Sequence, residues 1–188
     1  MSEPSSRRLR HAIIGAGAGI LKAHLPALAS EDVELVAVSD VNEEKGNLRA
    51  EELGCDFYAN HRDMLAAERP EVSVILAPQP FHALIALDCL EAGSHVLVEK
   101  PMAVSLDDAD AMIEAAEAAN RLLAVNFQQR FRPEARAARR LIRDGELGDI
   151  QRVAMTRYWT RPAAYYETAP WRAVPAVEGG GLLMNQAS

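Results

Sequence analysis

Short apolar runs alternate with stretches of helical spacing from residue 11 to residue 127, and no other feature restricts the fold of this chain as strongly. The runs lie at 11–14, 34–40, 56–59, 72–77, 95–100 and 122–127. Because each helical stretch is long enough to cross from one strand to the next, the alternation predicts a doubly wound parallel sheet with right-handed crossovers. The sequence therefore predicts an α/β protein with a Rossmann domain over residues 7–127.

The ends of the predicted helices carry recognisable capping residues. Ser105, followed by Asp108, forms a capping box at the start of the helix that leads into the sixth strand. Gly54 and Gly93 stand where two other helices should end, as expected of glycines that adopt a left-handed conformation.

The pattern changes after Phe127. Residues 132–148 predict a helix with an arginine-rich face. Those arginines could bind phosphate or an anionic partner, but a solvated face with ion pairs one turn apart is the favoured interpretation. Residues 150–160 predict a strand of a second sheet, residues 161–178 predict a loop, and a further element starts near Gly179. We therefore expect residues 128–188 to be the truncated start of a second α/β domain.

Composition narrows the range of partners. The net charge of −7 argues against nucleic acid as a principal partner, since a binding face needs a basic excess. No apolar run approaches the ~20 residues needed to span a bilayer, so no membrane association is expected. Cys55 and Cys89 lack the local pairing of a zinc site and are interpreted as reduced thiols of a cytoplasmic protein. No metal site is predicted.

A glycine-rich turn follows the first predicted strand. Its residues, all assigned to cofactor binding, are Gly15, Ala16, Gly17, Ala18, Gly19 and Ile20. The first two glycines of the dinucleotide-binding motif are present, and the third falls one place early, at Gly19. The first glycine allows the tight turn, the second lets backbone approach the pyrophosphate, and the helix that follows directs its free N–H groups at the phosphates.

Asp40 ends the second predicted strand, about 20 residues after the glycines, where an acid accepts hydrogen bonds from the adenosine ribose. A carboxylate there would repel a 2′-phosphate. The next residues, 41–44, include no arginine that could neutralise one. The sequence thus predicts NAD as the cofactor in preference to NADP.

Residues 92–103, AGSHVLVEKPMA, closely resemble the signature of the Gfo/Idh/MocA family, the glucose–fructose oxidoreductase and inositol dehydrogenase group. Further stretches match the family in the same order. They are GAGAGI with His24, VSDVN, Ala77-Pro78-Gln79 with His82, NFQQRFRP, Trp171-Arg172 and GGGLLMNQ. The resemblance implies a Rossmann domain followed by a domain built on an open sheet, with the cofactor between them.

The resemblance also implies roles for particular residues. Lys100 would lie near the nicotinamide ribose and the substrate hydroxyl, and the peptide before Pro101 is expected to be cis. The residues expected near the cofactor by resemblance are Pro78, Gln79, His82, Glu99, Lys100, Gln128, Trp171 and Arg172. Ala77 and Gln79 depart from the usual T-P-N of this loop.

The family's acid–base pair reads Asp-x-x-x-His. Asn185 takes the Asp position, and the His would follow Ser188, where the chain ends. The resemblance implies reversible hydride transfer between NAD and a secondary alcohol of a sugar, cyclitol or related polyol, with Lys100 and Asn185 in the catalytic site. It further implies a homo-oligomer formed through the C-terminal sheet. A glycoside hydrolase of the same fold that uses NAD transiently, and a non-catalytic NAD-binding protein, stay open as alternatives.

Overall fold

The computed structural model describes residues 7–156, 158–167, 172, 174, 179, 180 and 184. Within them, six strands form one sheet, flanked by helices. The strands are β1 (Leu9–Ile14), β2 (Val33–Ser39), β3 (Asp56–Tyr58), β4 (Val72–Ile75), β5 (His95–Glu99) and β6 (Leu123–Asn126). The helices are α1 (Leu21–Leu28), α2 (Glu43–Leu53), α3 (His61–Glu68), α4 (His82–Glu91), α5 (Leu106–Ala119), α6 (Pro133–Arg143) and α7 (Ala163–Glu167). Short 3-10 turns lie at Gln79–Phe81 and Gln128–Phe131.

The strand order is β3-β2-β1-β4-β5-β6, and every neighbouring pair is parallel. This is the strand order of a doubly wound Rossmann fold, which confirms the predicted fold class. The order reverses between β1 and β4, so the loops that leave these two strands diverge and open a crevice beyond their carboxyl ends.

Two apolar clusters hold the sheet, one on each face. One packs Met64, Ile75 and Met112 between the sheet and its helices, and the other packs Ile13, Leu21 and Val38. All six side chains are at most 2% exposed. Because the central parts of the strands are covered on both faces, they carry short apolar runs, and these runs made the alternation in the sequence recognisable.

The helix ends follow the predicted capping. The Ser105 hydroxyl accepts from the Asp108 backbone N–H at 3.1 Å and donates to the Asp108 carboxylate at 2.7 Å. Gly54 closes α2 with a left-handed φ of 68°.

The expectations for the part after Phe127 fare differently. Helix α6 is present, and none of its residues is buried. The predicted strand at 150–160 is wrong, since residues 150–156 and 158–160 have no regular secondary structure. None of these residues pairs with a strand of the described sheet, and a strand without a neighbour leaves its N–H and C=O groups unpaired. The predicted loop is also wrong in part, because it contains helix α7.

Among the described residues, no helix is long and apolar enough to cross a membrane.

Candidate dinucleotide and substrate site

A cavity of about 600 Å³ opens beyond the carboxyl ends of β1, β2, β4 and β5. This is where a doubly wound sheet places its ligand, and the volume lies within the range usual for small-molecule sites. Predicted site residues that line it are Gly15, Gly17, Ala18, Gly19, Ile20, Asp40, Pro78, Gln79, His82, Glu99, Lys100, Gln128 and Arg172. The sheet thus brings together segments that are far apart in sequence.

Three predicted site residues do not join them. Ala16 is absent from the cavity wall because its side chain is fully buried in the core between β1 and α1, while its backbone N–H donates to Ser39. Trp171 and Asn185 lie outside the described residues. The roles of these two therefore stay predictions.

The glycines of the turn differ in what they make possible. Gly15 has a φ of +90°, and a Cβ there would lie 2.5 Å from the backbone N of Ala77, so only glycine lets β1 and β4 end this close together. A Cβ on Gly17 would lie 2.9 Å from Oδ2 of Asp40. Gly19 has no atom within 4 Å of such a position and faces open space. The turn therefore leaves a cradle of bare backbone at the start of α1.

Asp40 follows β2 directly and is half-buried. Its Oδ2 accepts from the backbone N–H of Gly17 at 2.7 Å, and its Oδ1 accepts from the backbone N–H of Asn42 at 2.8 Å. Both bonds fix the carboxylate against the glycine turn, and each oxygen can still accept another hydrogen bond. This arrangement fits a ribose diol beside a pyrophosphate, so the residues present fit a dinucleotide.

A buried polar cluster lies beneath Lys100 and is formed by His24, Glu99 and Asn126. His24 Nε2 lies 2.8 Å from Glu99 Oε1, and the Asn126 amide donates to the same oxygen at 2.7 Å. The other carboxylate oxygen accepts from the Lys100 backbone N–H at 3.2 Å. Burial alone would raise the pKa of Glu99, but the hydrogen bonds from His24 and Asn126 outweigh it and the pKa is lowered. Glu99 is therefore held as a carboxylate, tied to α1, β6 and the start of the Lys100 loop.

The Lys100–Pro101 peptide is cis, as the resemblance implied. His82 supports the loop that follows: its Nδ1 lies 2.8 Å from the Pro101 carbonyl and its Nε2 lies 2.9 Å from the Ala77 carbonyl. The ring is 1% exposed, and burial lowers its pKa. His82 thus joins the loops after β4 and β5, which carry Gln79 and Lys100.

Sequence reasoning gave no role to eight further residues of the cavity wall, which are Lys45, Leu76, Phe127, Gln129, Arg130, Trp159, Arg161 and Tyr165. Lys45 lies in the first turn of α2, shortly after Asp40, and this position could have indicated that it lines the site. Arg161 had no such signal, since it stands in a stretch without regular periodicity. Within the described part of the chain, no group of three His, Cys, Asp or Glu side chains could hold a metal ion.

A parallel sheet in this order, with a glycine turn after β1 and a carboxylate after β2, defines a dinucleotide-binding Rossmann protein. The chain belongs to the Gfo/Idh/MocA family of oxidoreductases: the family model with an NAD-binding Rossmann fold matches residues 9–127. The model of the family's C-terminal domain matches residues 135–188. The first part of the chain is thus an NAD-binding domain.

Several known proteins are similar to this chain. D-glucoside 3-dehydrogenase of Escherichia coli (strain K12) is 36% identical over 79% of the chain and 43% of its own length. Inositol 2-dehydrogenase of Rubrobacter xylanophilus is 32% identical over 76% of the chain and 42% of its own length. The WlbA dehydrogenase of Bordetella pertussis, solved with NADH and UDP-GlcNAcA, is 33% identical, with a TM-score of 0.91 over 96% of the chain and 55% of its own. The chain spans about half the length of these relatives.

Proposed function

We propose that this protein is an NAD-dependent dehydrogenase that transfers hydride between the cofactor and a secondary alcohol of a sugar or related polyol. The observation that carries the proposal is a single cavity in which the glycine turn, Asp40 and Lys100 face the same space. The relatives support the substrate class, since they are named for a glucoside and an inositol, and one is solved with a nucleotide sugar.

The cofactor side is formed by the first strands. The backbone N–H groups at the start of α1 bind the pyrophosphate, as free helix N–H groups bind anions. Asp40 accepts hydrogen bonds from the adenosine ribose and excludes a 2′-phosphate by charge repulsion, which favours NAD over NADP. When bound, NAD supplies the carbon that accepts or returns the hydride.

Lys100 acts on the substrate side. An ammonium group at the end of β5 donates a hydrogen bond to the reacting hydroxyl and stabilises negative charge as it develops on that oxygen. The buried cluster of His24, Glu99 and Asn126 fixes the backbone from which Lys100 projects. The hydroxyl proton must pass to a base within hydrogen-bond reach. The histidine of the family's Asp-x-x-x-His pair would be that base, and Asn185 would orient the substrate or the histidine.

The test is NADH formation at 340 nm with a panel of sugars and cyclitols. We expect turnover that consumes free NAD in proportion to product, and Lys100→Ala should lower kcat at least ~100-fold, the scale of a lost transition-state hydrogen bond. Lys22→Ala, which removes an exposed lysine of α1 outside the cavity, is the matched control and should keep its activity. Activity of Lys100→Ala within a few-fold of the wild type would contradict the role of Lys100.

Cofactor choice is tested separately by titrating NADH and NADPH and following protein fluorescence. NADH should bind more tightly, and Asp40→Ala should reduce the difference because it removes the repelling carboxylate. Equal or tighter binding of NADPH by the wild type would refute the preference.

A further inference from the structure

Helix α6 carries a stripe of arginines along one side. Its four exposed arginines, which we call the arginine stripe, are Arg136, Arg139, Arg140 and Arg143. The last three follow the first by three, four and seven positions, a spacing that places side chains on one face of a helix. Among the described residues, only Arg143 has a carboxylate partner, namely Asp144 at 2.8 Å. The ion pairs one turn apart that the sequence favoured are therefore absent from this described helix.

Helix α5 carries a stripe of acids on the side that faces away from the sheet. Its four exposed acids, which we call the acidic stripe, are Asp107, Asp110, Glu114 and Glu117. Their spacing again places them on one helix face. Met112 and Ala116, which are 0% and 6% exposed, pack the opposite face into the core. None of the four acids forms an ion pair with a described residue, so the acidic stripe is available to cations from outside the chain.

The two stripes complement each other in charge, length and surroundings. At 1.5 Å of rise per residue, the arginine stripe is about 10 Å long and the acidic stripe is about 15 Å long. An exposed isoleucine lies beside each stripe, Ile142 on α6 and Ile113 on α5, with exposed fractions of 52% and 45%. Within one chain, no ion pair between described residues joins the two stripes. A second copy can therefore supply the opposite charges, together with an apolar neighbour.

The overall charge favours a second copy over a nucleic acid as the partner. The chain holds 27 acidic and 20 basic residues, and its net charge is −7. A polyanion that approaches the arginine stripe is repelled by this acidic excess over the rest of the surface. A second copy instead presents four carboxylates at helical spacing, and the like charges elsewhere on its surface disfavour other orientations.

We propose that the arginine stripe of α6 binds the acidic stripe of α5 on a second copy of this chain. Each copy carries one stripe of each kind, so the contact is made twice in a two-fold dimer or repeats from copy to copy. Both stripes lie outside the cavity, so the interface does not depend on the proposed activity. Exposed ion pairs are screened by salt, and the association is therefore strongest at low ionic strength.

The experiment is analytical ultracentrifugation of the protein in about 10 mM and about 1 M NaCl, between which the screening length falls from about 30 Å to about 3 Å. Protein concentrations extend to about 1 mM, where even a weak contact is populated. We expect the weight-average mass to rise with protein concentration at low salt and to fall when salt is added. A mass that does not depend on salt would overturn the inference.

Charge reversal in the middle of each stripe identifies the contact. The α6 variant combines Arg136→Glu with Arg140→Glu, and the α5 variant combines Asp110→Lys with Glu114→Lys. Either variant alone should associate at least about tenfold more weakly than the wild type at low salt, because like charges then face each other. An equimolar mixture of the two variants should recover the association, since the acidic α6 of one variant then faces the basic α5 of the other.

Lys22→Glu combined with Arg152→Glu is the matched control, because both residues are exposed and lie outside the two stripes. This control changes the net charge as much as the α6 variant does, and it should associate as the wild type does. Two further results would overturn the inference. Unchanged association of the α6 variant would assign the contact to another surface. A mixture of the α5 and α6 variants that stays dissociated would show that the two stripes do not face each other.

Discussion

Replacing His24 by alanine tests whether the buried cluster beneath Lys100 stabilises the fold as its geometry implies. Glu99 is 7% exposed and His24 is 8% exposed, with 2.8 Å between Nε2 and Oε1. Removing one partner of a buried pair costs about 3–5 kcal/mol, because the other partner loses its compensation while it stays buried. Asn126 still donates to the same oxygen, so we expect the lower end, about 3 kcal/mol.

For a chain of this size, each kcal/mol corresponds to about 2–4 °C in Tm. His24→Ala should therefore lower the Tm by roughly 6–12 °C, measured by circular dichroism. His24→Gln should recover part of the loss, since its amide can donate to Glu99. A double-mutant cycle with Glu99→Gln should return a coupling energy of about 1–3 kcal/mol, the range for residues in one hydrogen-bond network.

The fold offers a matched control in His61 and Asp88, which are also 2.8 Å apart. That pair lies outside the cavity, its side chains are 18% and 17% exposed, and Arg62 also donates to Asp88. His61→Ala should cost only about 1 kcal/mol, as for a partly solvated hydrogen bond. If His24→Ala lowers stability no more than His61→Ala does, the cluster is not the constraint described here.

The pH dependence follows from the lowered pKa of Glu99. A carboxyl whose pKa is lower in the folded state contributes stability above its unfolded value of about 4.3, and the contribution is lost as the pH falls through the folded value. The stability difference between wild type and Glu99→Gln should therefore be complete at pH 7 and shrink below about pH 4. A difference that does not change between pH 7 and pH 3 would contradict this assignment.

Three further changes test other parts of the fold. Gly17→Ala should raise the Kd for NADH and lower the Tm. Gly19→Ala, whose added Cβ meets no atom within 4 Å, should leave the Tm unchanged or slightly higher. Equal effects of the two substitutions on the Tm would contradict the close packing described for Gly17. Gly46→Ala places a Cβ 2.1 Å from the Phe57 ring and should cost about 1–3 kcal/mol in urea unfolding; an unchanged midpoint would show that the ring moves freely. Burial raises the pKa of Cys89 to about 12, so this thiol should resist iodoacetamide at pH 8 until the protein unfolds, and rapid labelling of the native protein would contradict its burial.

Local signals in the sequence were sufficient for most of the Rossmann part. Most strands contain a short apolar run because both faces of the sheet are covered, and Gly54, Ser105 and Asp108 mark helix ends through contacts within a few residues. The two failures lie after Phe127. Residues 150–160 have a strand-like composition, but a strand forms only where another strand pairs with it.

The site residues were predictable only where a short sequence motif always gives the same three-dimensional arrangement. The glycine turn and Asp40 form such a motif, since the parallel order of β1 and β2 always brings them together. The pairing of His24 with Glu99 is different, because the two residues are 75 positions apart and belong to separate elements, α1 and β5. Arg161 was missed for a similar reason, as no spacing in the sequence indicates that it stacks against the Trp159 and Tyr165 rings.

The two sides of the cavity have different freedom to change over evolutionary time. The side made by the ends of β1, β2, β4 and β5 includes positions such as Gly15, where an added Cβ would collide with the backbone of Ala77. The side made by residues 158–167 joins no sheet, and most of its side chains are exposed. A lineage can therefore exchange residues on that second side without unfolding the first. We expect homologues that share this cofactor domain to diverge chiefly there, so that one inherited NAD-binding fold serves many sugars.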